Sequence, residues 1–67
     1  MERSVEERLF AITDGIQMLL GEARAIINDL GDEATTPYWD VRLHLADAGR
    51  ACCEAISIER EREASHA

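Results

Sequence analysis

The sequence predicts an all-α fold, an antiparallel two-helix hairpin that dimerises into a four-helix bundle. Three observations carry that expectation. Val5, Leu9, Ile12, Ile16, Leu19, Ala23, Ile26 and Leu30 follow one another at alternating spacings of four and three. An apolar stripe of that period sits on one helix face only where a partner helix covers it. A second stripe, Tyr38, Val41, Leu45, Ala48, Cys52 and Ala55, repeats the three-four spacing, and Ile56 widens it near its end. Between the stripes, Gly31 to Thr36 is a connection short enough to make the two helices antiparallel neighbours.

Helix one begins where Ser4 is followed three residues later by Glu7, a capping-box pattern in which the hydroxyl accepts from an exposed amide. It spans about 5–30, and Gly31 supplies the left-handed conformation that closes a helix C-terminus. Gly15 and Gly21 lie inside it, each costing about 0.8–1 kcal/mol relative to alanine. The heptad phase runs through both, which predicts one continuous helix; a break at Asp14-Gly15 is the alternative. The turn covers 31–36. Thr36 then reads as an N-cap and Pro37 as the first helical residue, where the missing amide costs nothing. Helix two spans about 37–62. Its periodicity ends in Glu59-Arg60-Glu61-Arg62-Glu63, a run with no apolar face that reads as a solvated helix end, and a frayed tail follows over 63–67.

Composition narrows the function. The 67 residues make a single domain, 1–67, too short to bury a large fraction of its surface unaided. A disulfide is a poor supplement, because Cys52 and Cys53 are adjacent and neighbours on a helix point about 100° apart. Free thiols and a cytoplasmic setting follow. Fourteen acidic residues against seven basic ones give a formal net charge of −7, a balance that opposes nucleic acid and anionic membranes, which both need a cationic footprint. No apolar run approaches the roughly 20 residues that span a bilayer.

No reaction chemistry emerges. Asp40, His44 and Asp47 share a face of helix two at spacings of four and three, which is geometrically open to a metal ion. Charge pairing explains the same residues, since Asp40 lies near a helix N-terminus and Asp47 can meet Arg50 one turn on. No serine, cysteine or lysine nucleophile sits at helical spacing from His44. The expectation is a protein that is not an enzyme and takes no metal or cofactor. Cys52 and Cys53 read as small packing groups within a helix dense in alanine and glycine.

The apolar residues exceed what one seam can use. Phe10, Leu20 and Ile27 flank the stripe of helix one, and Trp39, Ala46, Gly49, Cys53 and Ile56 flank that of helix two. A second apolar face needs a second partner, and a copy related by a two-fold axis is the commonest one. The dimer interface is accordingly expected on Phe10, Leu20, Ile27, Gly49, Cys53 and Ile56. Tyr38 and Trp39 stand side by side on the first turn of helix two, so they cannot share a face. With Tyr38 continuing the seam, Trp39 lies on the flanking stripe, available to the second protomer or to a foreign protein, and such residues are typical binding anchors. With Asp32, Glu33 and Asp40 nearby, Tyr38 and Trp39 are the expected partner-binding residues, suited to a basic and partly apolar patch.

Tyr38, Asp40, Leu43, Leu45, Ala48 and Ile56 in an alanine-rich second helix, after a Leu/Ile-seamed first helix and an acidic turn, form a pattern that resembles the small helical-hairpin proteins of bacteria and phages. The phage-encoded anti-quorum-sensing hairpins are among them. That resemblance implies a homodimer that binds and inhibits a regulatory or motor protein in the cytoplasm of a bacterial host. Two other readings stay open on the residues alone: an acidic nucleic-acid mimic that blocks a DNA-binding site, and a metal-dependent sensor using His44.

Overall fold

Ser4 Oγ accepts the Glu7 amide at 3.1 Å and so starts α1 (Val5–Leu30) with one of its four orphan donors satisfied. The computed structural model describes residues 3–65. α1 runs without interruption through Gly15 and Gly21 and ends at Gly31, whose φ of 56° lies in the region that suits glycine and whose N–H donates to the Ile27 carbonyl. A single 3₁₀ turn, Gly31–Glu33, then leads through Ala34 and Thr35 into α2 (Thr36–Ser65). The Thr35 carbonyl accepts the Tyr38 amide at 3.1 Å, so the chain is already helical one residue before the expected start at Pro37.

α2 also outlasts its expected end at 62. Glu63, Ala64 and Ser65 are helical, and positions 66 and 67 lie outside the described residues. An alternating Glu/Arg run removes the apolar face but not the helix, because residues three apart pair along it: Arg62 meets Glu59 at 3.2 Å.

The two helices pack antiparallel into a hairpin 53 × 22 × 12 Å, two helices wide and one helix thick. The seam is half as expected. Leu9, Ile16, Ala23 and Leu30 face α2, but between them stand Glu6, Thr13, Leu20 and Ile27, each one residue beyond the expected Val5, Ile12, Leu19 and Ile26. Leu20 and Ile27 are 7% and 8% exposed, whereas Leu19 and Ile26 are 56% and 47% exposed. α2 answers with Leu45, Ala48, Gly49, Cys52, Ala55 and Ile56. Gly49 lies against Ile16, with room for a methyl group there to meet Ile16 Cγ2 at an ordinary 3.6 Å. Thr13 tolerates the seam because its hydroxyl donates to the Leu9 carbonyl at 3.0 Å, leaving its methyl to pack.

Four of the six residues expected at a dimer interface are therefore placed in the seam of the single hairpin. Leu20, Ile27 and Ile56 belong to the core of the single hairpin, and Gly49 is turned to Ile16. The physical reason is the phase shift. Rotating α1 by one residue exchanges the two flanks of its apolar arc, since neighbouring positions lie about 100° apart.

Candidate functional site

A hairpin one helix thick has two broad faces, and they differ in chemistry. On one, Val5, Ile12, Leu19 and Ile26 recur every seven residues and so lie nearly in line along α1, all of them exposed. Val41, Ala48 and Ala55 repeat at the same interval on the facing side of α2. The two lines meet near the turn, where Ala23, Ile26, Tyr38 and Val41 line a hollow of about 240 Å³. This is the aliphatic face.

The opposite face carries arginine and the other two aromatic residues. Phe10, Gln17 and Arg24 form its line on α1, and Trp39, Ala46, Cys53 and Arg60 its line on α2, again at intervals of seven. Contacts across the seam confirm the register. The Arg60 guanidinium lies over the Phe10 ring at 5.5 Å and donates from Nε to Glu6 Oε1 at 2.7 Å. One cation thus ties the open end of the hairpin together by a cation–π contact and a charge-assisted hydrogen bond.

At the turn end of this face stands Trp39, 47% exposed. The Arg42 guanidinium is 5.6 Å from its ring centroid, one helical turn further along α2. A groove of about 410 Å³ runs beside the indole between Leu20 and Arg24 of α1 and Asp40, Leu43 and Ala46 of α2. A second hollow of about 250 Å³ lies between Trp39, Arg42, Arg24, Ile27 and Asn28. The indole is a ridge between two depressions, held in place by a stacked cation.

The expected partner-binding residues are divided by this geometry. Tyr38 belongs to the hollow of the aliphatic face, and Trp39 with Asp40 belongs to the arginine face. Asp32 and Glu33 are exposed on the turn between them. What the sequence reading missed is the pair Arg24 and Arg42. Arg42 was open to discovery, standing three residues after Trp39 on one helix face. Arg24 was not, because only the register across the hairpin brings it to the indole.

Asp40, His44 and Asp47 are all exposed, and Asp47 meets Arg50 at 4.0 Å as charge pairing anticipates. Among the described residues no three His, Cys, Asp or Glu side chains converge on a point that could hold a metal ion. Cys52 is half-buried in the seam, and Cys53 is exposed; both are free thiols. Among the described residues no helix is long and apolar enough to cross a membrane. Comparison with protein families, with curated proteins and with solved structures finds no match to this chain.

Proposed function

We propose that the chain is a non-enzymatic protein-binding module, a homodimer of hairpins that inhibits a regulatory or defence protein of a bacterial host and is supplied by a phage or mobile element. The observation that carries the binding role is Trp39. A half-exposed indole flanked by two grooves and backed by Arg42 is a large apolar anchor, and a ring restrained by a neighbouring cation has less rotamer freedom to lose on binding. Arg24, Arg42 and Asp40 around it offer charges of both signs, and Asp32 and Glu33 on the nearby turn add negative charge that speeds encounter with a basic surface. The partner surface is therefore a pocket able to take an indole, rimmed by polar groups.

The test is capture from a bacterial lysate with the full chain, the Trp39→Ala variant and a Glu61→Gln control, each checked for helicity and mass. A protein retained by the wild type and by Glu61→Gln, inhibited by both, and bound at least about tenfold more weakly by Trp39→Ala supports the reading. Binding that survives Trp39→Ala but collapses with rising salt points instead to nucleic-acid mimicry through the acidic side chains.

A further inference from the structure

We infer that the aliphatic face is covered by the same face of a second copy, with α1 of each hairpin laid on α2 of the other and both turns at the same end of the dimer. This rests on the dimer reading above and specifies it. Val5, Ile12, Leu19, Ile26, Tyr38 and Val41 are each between 43% and 56% exposed. Together they offer roughly 500 Å² per copy, and with Ala48, Ala51, Ala55 and Ile58 beside them the face approaches the about 800 Å² per partner of a standard stable interface.

The phase of α1 makes the same point. A hairpin that maximised its own core would turn Ile12 inward and Thr13 outward, yet this one half-buries Thr13 and Glu6 in the seam and leaves Ile12 and Val5 52% and 45% exposed. The other face is a poor seat for a copy of itself. Stacking it would bring Arg24, Arg42 and Arg60 of the two copies together and desolvate them, whereas the aliphatic line itself is uncharged and is edged on α1 by Arg8 and Glu22, one charge of each sign.

Orientation follows from side-chain size. A two-fold axis across the helices would set α1 on α1, large residue against large, and α2 on α2, alanine against alanine, so the two separations would be unequal. An axis along the helices sets Ile12, Leu19 and Ile26 of each copy on Val41, Ala48 and Ala55 of the other, large against small at one uniform spacing.

The chain has no lysine, so the double variant Arg3→Lys, Asp32→Lys gives one side-chain amine near the start of α1 and one at the turn. α1 keeps them about 39 Å apart within a hairpin, and a short amine-reactive cross-linker can join them only between copies. Mass spectrometry of the cross-linked dimer is expected to show position 32 joined to position 32 and position 3 to position 3. Links between 3 and 32 overturn the orientation while leaving the dimer. A folded wild-type monomer at micromolar concentration in light scattering overturns the dimer reading and this inference together. The face itself is tested by Leu19→Asp, expected to abolish dimer mass, against Ala46→Asp on the arginine face, expected to keep it. Loss of helicity in Leu19→Asp supports the inference equally, because Leu19 is exposed in the single hairpin. Dimer mass unchanged by Leu19→Asp overturns it.

Discussion

The two broad faces of the hairpin are built from the same two helices, yet one presents a line of aliphatic side chains and the other a line of rings and guanidiniums. The difference lies in what each can do alone. Arg60 on Phe10 and Arg42 on Trp39 cover part of the second face with its own side chains, and those contacts are complete within one chain. Among the described residues of the single hairpin, Ile12 and Leu19 are covered only by half, remaining 52% and 56% exposed. A self-capped surface suits a protein that must stay free to meet a different molecule, and an uncapped aliphatic one suits permanent burial.

The sharpest way to break this division is to compare neighbours. Ile27→Ala removes a core side chain and is expected to cost the hairpin about 2–4 kcal/mol in chemical denaturation. Ile26→Ala, one residue away, should cost the single hairpin under about 1 kcal/mol when dimer contacts are diluted out. Equal losses would mean that α1 is not rotated as described. Next in size is Trp39→Ala, for which dimer mass and melting behaviour should hold while target affinity falls at least about tenfold, or about 1.4 kcal/mol. A dimer that falls apart instead would place the indole at the two-fold interface.

Thiol reactivity sharpens the comparison at lower cost. Cys53 lies on the arginine face and Cys52 in the seam, so a thiol reagent should modify Cys53 several-fold faster, and in the dimer as readily as in the monomer. Comparable rates would show a seam that opens freely. The smallest expected effect is that of Arg60→Gln, a loss of under about 1 kcal/mol that shrinks as salt is added, since Arg60 is largely exposed.

Much of the fold was legible because it is decided locally. Ser4 and Glu7 fix the start of α1, and Gly31 closes it with the one positive φ among the described residues. The length of the connection dictates antiparallel packing. The phase of the seam was not legible. Val5 and Glu6, Ile12 and Thr13, Leu19 and Leu20, Ile26 and Ile27 each satisfy the three-four spacing with Leu9, Ile16, Ala23 and Leu30, so periodicity cannot choose between them. Hydrophobicity alone favours Ile12 over Thr13 and Val5 over Glu6, and it chose the outer flank. The structure turns on facts that pattern does not carry: Thr13 satisfies its hydroxyl on its own helix, and Glu6 has Arg60 across the seam. For the same reason the placement of Arg24 beside Trp39 was not legible, since only the register across the seam brings them together.

The connection between α1 and α2 also sets the order in which the molecule closes. Ile26 and Val41 flank the turn, whereas Glu6 and Arg60 are 54 residues apart along the chain. Closing that longest loop directly would carry the full chain-entropy penalty, which grows with loop length. Pairing outward from the turn avoids it, because each pair formed leaves only a short arm to bring in for the next. The hairpin is thus a zipper with its stop at Gly31 and its clasp at Arg60. Amide exchange should be slowest beside the turn and quicken toward the clasp, the last contact made on folding and the first released.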